Sequence, residues 1–378
     1  MLTYKDLVEL ERALRDRAVL SVYINGQTED PASRKRWRLD LRHSFDDITS
    51  WLEGSSHAER EAFTTCRELV VNRLDRYRGT IRSPGWAAFC STDGVYYASP
   101  LPVPMPTMAV WSSGPCLTPY LRALKEARSV IVAVVDSRKA RLFRYAGRHV
   151  ERVHTIRAHT HVEPTSHLGR PARLGFHMGT RGPTGADEAQ RELRQGTSRM
   201  LAEVSEEIRK LSGTDGWIVI GGIPSVAKAA LTHLPPDLAN RSLHAEDLDI
   251  HATQADVAEV ARRSASSLRD ASDLHRVNDA LAHAESDRRG VAGPVDTKRA
   301  LEEGRVRELF FTLSFLENHA ADAEAAVRLA FESHASVEHV SGAAAKCLEN
   351  AGGIAAQLWY AEAPVTGVLV EPPTGAVA

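Results

Sequence analysis

Six consecutive apolar residues, Val130-Ile131-Val132-Ala133-Val134-Val135, constrain this chain more than any other stretch. A short run without polar alternation reads as a strand buried on both faces, so its sheet needs a layer on each side. The run stops at Asp136, and the turn Ser137-Arg138-Lys139 leads into a second strand, Ala140 to Tyr145. Ala146-Gly147-Arg148 turns again, and Val150 to Ile156 reads as a third strand. From Arg157 to Ala186 there is no apolar period, and His, Gly, Pro and Arg dominate. A long helix follows, from about Asp187 to Leu211. A structureless loop of about 30 residues inside a domain is uncommon, and is usually functional or disordered.

Charge singles out the same region. Ten basic residues stand between Arg138 and Arg181 against two acids, Glu151 and Glu163, in a chain whose net charge is −2. The near-neutral total conceals a segregated basic segment. A basic, Gly-rich projection is a contact for a polyanion, RNA above all; the alternative is a solvated loop of incidental charge. The residues assigned to RNA are Arg138, Lys139, Arg157, Arg170, Arg173, His177, Gly179, Arg181 and Gly182.

Length and periodicity divide the remainder. A chain of 378 residues predicts two or three domains, placed here at 1–122, 123–285 and 286–378. In the first, Thr3 caps a helix through Leu14, and Ala18 to Ile24 is a strand. Helices run from about Ser33 to Trp51 and Ala58 to Tyr77. The first of them opens with Arg34, Lys35, Arg36, Arg38 and Arg42, read as a solvated face or a phosphate contact. Gly85 to Ser91 and Val95 to Ser99 flank the hairpin turn Thr92-Asp93-Gly94, and Thr107 to Trp111 adds a strand. In the second, Trp217 to Gly222 is a strand with a helix from Pro224, Leu248 to His251 is a short strand, and Gln254 to Glu285 is a long helix. In the third, Asp287 to Gly290 is a linker, followed by alternating helices and strands that suggest an α/β/α sandwich.

Cys66, Cys90, Cys116 and Cys347 are scattered and form no CxxC pair, which suggests neither a zinc ribbon nor a redox motif and points to a reducing cytoplasm. No membrane-length apolar run and no signal-peptide core are visible, so no membrane partner is expected. His159-x-His161 offers two metal ligands or an RNA contact, without a cluster that completes a metal site, and no metal or cofactor is expected. Asp136 ends its strand where a nuclease carboxylate would belong, but the later strand exits through Gly221-Gly222-Ile223-Pro224 with no acid. Two-metal chemistry needs several convergent carboxylates, so Asp136 is read as a turn former or an arginine partner. The Gly-Gly exit before a helix allows an anion or merely a tight turn.

Three local patterns carry a resemblance. They are Ala133-Val134-Val135-Asp136-Ser137-Arg138-Lys139-Ala140-Arg141-Leu142-Phe143, then Arg299-Ala300-Leu301-Glu302-Glu303-Gly304-Arg305-Val306-Arg307-Glu308-Leu309, then Gly352-Gly353-Ile354-Ala355-Ala356-Gln357-Leu358-Trp359-Tyr360. Together they resemble the bacterial relatives of the archaeo-eukaryotic class-1 release factor and Pelota superfamily over about residues 125 to 365, with Trp359 where that family usually has Arg. The resemblance implies an α/β chain of three domains. The middle one is ribonuclease-H-like, and the C-terminal α/β/α sandwich is like the kink-turn-binding ribosomal proteins. It also implies a factor that enters the ribosomal A site, with ribosomal RNA, tRNA and a translational GTPase as partners.

True release factors of the family bear Gly-Gly-Gln on the long loop. Here the loop reads Gly175-Phe176-His177-Met178-Gly179-Thr180-Arg181-Gly182-Pro183-Thr184-Gly185, and Gly-Gly-Gln occurs nowhere. Pelota relatives also lack it and leave the peptidyl-tRNA ester intact. The expectation is therefore a cytoplasmic binding factor for rescue, quality control or hibernation, with no catalytic residue assigned. The alternative is peptidyl-tRNA hydrolysis by a divergent loop around Gly179 to Gly182.

Overall fold

The computed structural model describes residues 1–27, 36–77, 81–147, 149–159, 185–286 and 289–361. It divides into two units, Met1–Ser272 and Asp273–Ala378.

The first unit opens with α1 (Tyr4–Leu14), whose Thr3 and Asp6 form a reciprocal capping box. β1 (Ala18–Asn25), β2 (Gly85–Ser91), β3 (Gly94–Leu101) and β4 (Met108–Ser113) make an antiparallel sheet in the order β3-β2-β1-β4. Helices α2 (Arg36–Trp51) and α3 (His57–Asp75) cover one face, where Trp37, Phe45, Phe63 and Val70 meet Leu20, Val22, Trp86 and Trp111. On α4 (Thr118–Glu126), which sequence reasoning did not anticipate, the Tyr120 ring packs tilted against Phe89 and edge-on to Tyr97, and its hydroxyl accepts from the Leu2 amide at 2.7 Å.

The second sheet of this unit contains the central apolar run. β5 (Val130–Val135) lies in the middle of the order β7-β6-β5-β8-β9, with β6 (Lys139–Ala146), β7 (His149–Arg157), β8 (Trp217–Gly222) and β9 (Ser242–His244). Only β6 runs against the other strands: β5, β8 and β9 are mutually parallel, and β6 is antiparallel to both β5 and β7. All six β5 residues are buried, as an unbroken apolar run requires. One face packs on α5 (Gly185–Ser212), α6 (Pro224–Thr232) and α7 (Pro236–Ala239) through Ile131, Ala133, Val135, Met200, Val204, Ile208 and Leu238. The other packs on the first part of α8 (Gln254–Glu285) through Val130, Val132, Val134, Val257, Val260 and Ala261. The alternation of β5 side chains between these two cores is the period-two geometry of a strand.

Two expectations are corrected. Leu248 to His251 is not a strand; β9 lies earlier, at Ser242–His244. Leu248 instead buries its side chain and accepts the Gly222 amide at 2.6 Å, and Asp249 closes a turn onto the His251 amide. Nor is Gly290 linker, because it begins a strand.

The second unit holds that strand, β10 (Gly290–Ala292), then α9 (Pro294–Glu302), β11 (Val306–Thr312), α10 (Leu313–Asn318), α11 (Ala320–Glu332), β12 (Ser336–Val340), α12 (Gly342–Glu349) and β13 (Ile354–Leu358). The sheet order is β10-β13-β11-β12, with β11 and β12 parallel. The last turns of α8 and the helix α12 cover one face: Val277, Ala280, Ala344 and Leu348 pack on Phe310, Val340 and Ala355. The Gly352-Gly353 pair has a local reason. Gly353 has φ +79°, and a Cβ there would meet Phe315 at 3.1 Å. Beneath the sheet edge, Arg276 bonds Glu308, and its guanidinium lies 3.3 Å from Asp273 and 3.5 Å from Glu338. Among the described residues no helix is long and apolar enough to cross a membrane.

Candidate nucleic-acid interface

The β5–β6 turn is built by Asp136. Its Oδ1 accepts the amides of Arg138 at 2.6 Å and Lys139 at 2.8 Å, and its own amide donates to the Lys139 carbonyl at 2.9 Å. This is the local turn that Asp makes well, and it occupies Oδ1 with backbone amides. The turn is also held from below. On α5, Thr197 Oγ1 lies 2.6 Å from the Ser137 carbonyl oxygen and 2.8 Å from that of Leu193, one turn back on its helix. Across the hairpin, the Ala158 amide donates to the Arg138 carbonyl at 2.8 Å.

Register then decides which charges meet. β6 and β7 pair with Lys139 directly opposite Arg157, after a bulge between Leu142 and Phe143. Arg138 is next to this pair in the turn, and all three side chains are exposed. None of the three has a carboxylate partner among the described residues. Like charges directly opposed on one sheet face are unfavourable, so the strand end carries a repulsion that an approaching anion would relieve. Residues 160–184 begin three positions after Arg157 in the chain, so the three cations lie close to where that stretch starts in sequence.

Other arginines separate into different roles. Arg144 and Arg152 are exposed on β6 and β7, with Glu151 directly opposite Arg144. Arg141 is structural: its guanidinium donates to the carbonyls of Ile250 at 2.5 Å and Ala252 at 3.3 Å and lies over the Phe143 ring. It therefore binds the turn before α8 and is withdrawn from the positive surface. His154 Nε2 is 3.4 Å from Glu207 on α5, which also meets Lys210. Among the described residues no three His, Cys, Asp or Glu side chains lie close enough to hold a metal ion.

The Gly-Gly exit has a packing explanation. Gly222 has φ +111°, and a Cβ there would sit 2.1 Å from the Val135 carbonyl oxygen. That same carbonyl accepts the Ile223 amide at 3.0 Å, which joins the ends of β5 and β8. The tight strand-to-helix turn is thus the role the backbone shows.

Of the residues assigned to RNA from sequence, the structure brings Arg138, Lys139 and Arg157 together. Arg170, Arg173, His177, Gly179, Arg181 and Gly182 lie outside the described residues, as do His161 and the Gly175 to Thr184 part of the loop. Sequence reasoning missed Thr197 as the anchor of the turn. A lone Thr in a helix carries no signal of its partner until the fold places Ser137 above it.

Residues 115–266 match the model of bacterial archaeo-eukaryotic release factor family 10. The first of the three sequence motifs falls inside that match, and the other two lie beyond it. Among solved structures, Archaeoglobus fulgidus Pelota is similar at 14% identity over 73% of this chain and 79% of that one, with a TM-score of 0.35. S. cerevisiae Dom34, a translation termination-like factor involved in RNA quality control and interacting with Hbs1, is similar at 12% identity. There the coverage is 64% of this chain and 67% of that one, with a TM-score of 0.45. Archaeal Pelota, as placed on the ribosome with ABCE1, is similar at 14% identity over 96% and 95% of the two chains, with a TM-score of 0.44. No curated protein matches the sequence.

Proposed function

From a chain that carries the domain of bacterial archaeo-eukaryotic release factor family 10 over residues 115–266, we propose a ribosome-associated factor that binds without releasing peptide. The observation that carries this reading is a pairing of two facts. The middle domain brings together Arg138, Lys139 and Arg157, which have no carboxylate partner among the described residues, and Arg157 precedes its long basic segment in the chain. The whole sequence has no Gly-Gly-Gln with which that segment would act on an ester. Strand order and direction around β5, with only the second strand reversed, support the ribonuclease-H-like reading of this domain. The four-stranded sheet of the second unit, with α8 and α12 on one face and α9 and α11 after β10 and β11, supports a C-terminal α/β/α domain.

In this reading the cations hold ribosomal RNA, or the tRNA acceptor end, by phosphate contacts, and the loop residues Arg170, Arg173, His177 and Arg181 extend the contact. The action is rescue, quality control or hibernation at the A site, and a translational GTPase is the expected delivery partner. A nuclease reading is disfavoured by Asp136, whose Oδ1 is taken up by two backbone amides.

The test has two readouts. The full chain is sedimented with empty and stalled ribosomes across a salt series, beside a variant with Arg138→Gln, Lys139→Gln and Arg157→Gln. Salt-sensitive binding by the wild type and weaker, flatter salt dependence in the variant is the expected result. Release of labelled peptide from stalled ribosomes would overturn the non-hydrolytic reading and favour the divergent-loop alternative. Absence of co-sedimentation with every ribosome preparation would overturn the ribosomal reading itself.

A further inference from the structure

A second cationic site lies in the N-terminal part of the chain, on elements that the function above does not use. α2 and α3 flank a groove of about 250 Å³, lined by Trp37, Arg38, Arg42, Phe45, Arg67 and Asp75 among others. Arg38 and Arg42 are one helical turn apart and so share a face of α2, a like-charge spacing that costs a helix stability. Arg67 faces them from α3.

The compensation is incomplete. Asp75 is the one acid in the groove lining, and it lies 3.6 Å from Arg38. Asp40 is engaged elsewhere, 4.0 Å from Arg36. Arg42 and Arg67 have no carboxylate partner among the described residues, although Asp46 is spaced one turn from Arg42. Two guanidiniums are held against aromatic rings, with Arg67 at 5.6 Å from the Phe45 centroid and Arg38 at 5.4 Å from that of Trp37. Stacking of this kind orients a guanidinium while leaving its N–H edge for a ligand. Trp37 adds a buried indole N–H that has no acceptor among the described residues.

We propose that the α2–α3 groove is a phosphate-binding site formed by Arg38, Arg42 and Arg67. Planar forks that meet in a cleft match the oxygens of a phosphate bidentately. The apolar floor of Trp37, Leu41 and Phe45 suits the sugar or base attached to it. The volume is small beside the several hundred Å³ of a typical cofactor pocket, so the site takes one phosphate-bearing unit. That unit is a free mononucleotide or one residue of an RNA strand, which share this chemistry.

The experiment uses the full chain with Arg138, Lys139, Arg157, Arg170, Arg173 and Arg181 all changed to Gln, so that the cations assigned to the middle-domain contact are absent from every protein compared. AMP and a short fluorescent single-stranded RNA are titrated separately. Arg42→Gln/Arg67→Gln is compared with Arg60→Gln/Arg73→Gln, two exposed α3 changes outside the groove. The groove variant is expected to weaken binding about tenfold or more, as loss of charge-assisted contacts does. For RNA, its salt slope should fall by about 1.4, the loss of two single-strand phosphate contacts. AMP binding without RNA binding assigns the site to nucleotides, and RNA binding without AMP binding assigns it to a backbone. If Arg67→Gln lowers the melting temperature through loss of the Phe45 contact, the exposed Arg42→Gln alone carries the test, with a smaller loss in the same direction. Neither probe binding, or equal losses in the Arg60/Arg73 variant, would overturn the proposal.

Discussion

Arg157→Glu should make the protein more stable and its RNA binding worse. In the wild type, Arg157 stands directly across from Lys139 on exposed strand ends, with Arg138 adjacent. With charged tips about 6 Å apart in water, Coulomb's law sets the repulsion near 0.7 kcal/mol, and salt reduces it. Arg157→Gln removes that term, and Arg157→Glu replaces it by an attraction of similar size. Allowing for exposure and side-chain entropy, the gain for Glu is about 0.5–1 kcal/mol, and about half of that for Gln. For a unit of this size that is a rise of about 1–4 °C in the melting transition. Melting the three proteins at low and high salt checks the ordering Glu above Gln above Arg, and the gap should narrow with salt. Sedimentation with ribosomes should run the other way, with a salt slope reduced by about 0.7–0.9 per lost phosphate contact. A Glu variant that is less stable at low salt, or one that binds ribosomes as the wild type does, would refute the reasoning from register.

Three further outcomes are expected. Gly222→Val should destabilise the first unit by at least about 3 kcal/mol, combining the strain of positive φ with a clash on the Val135 carbonyl, and chemical denaturation reads this directly. Arg276→Leu should destabilise the second unit by about 3 kcal/mol or more by leaving Glu308, Glu338 and Asp273 without their shared cation, and part of that loss should be recovered in acid. Asp256 reciprocally caps α8 with Thr253, and the Thr253 amide and hydroxyl hold its carboxyl below the ordinary 3.8. A depressed folded value means the contribution is full above that ordinary value and is lost as pH falls below it through the folded value. The stability difference between wild type and Asp256→Asn should therefore shrink over that acid range and be constant near neutrality.

Periodicity made much of the fold legible. The unbroken apolar run of β5, the Thr3 cap, the hairpin at Thr92-Asp93-Gly94 and the bounds of α8 follow from local rules of burial, capping and turn chemistry. Short elements such as β9, β10 and α4 were misplaced or missed. Their three to nine residues carry too little pattern, and pairing with β8, β13 or the aromatic face of β2 defines them. The same division holds at the candidate interface. The sequence by itself determined that a basic segment sits between two apolar elements and that Gly-Gly-Gln is missing, because charge and motif are properties of the chain alone. Only the tertiary structure decided which cations are available. Backbone carbonyls from residues far along the chain take up Arg141, and strand register sets Lys139 against Arg157. A charge count sums residues, whereas desolvation and pairing depend on which residues the fold brings within hydrogen-bonding distance.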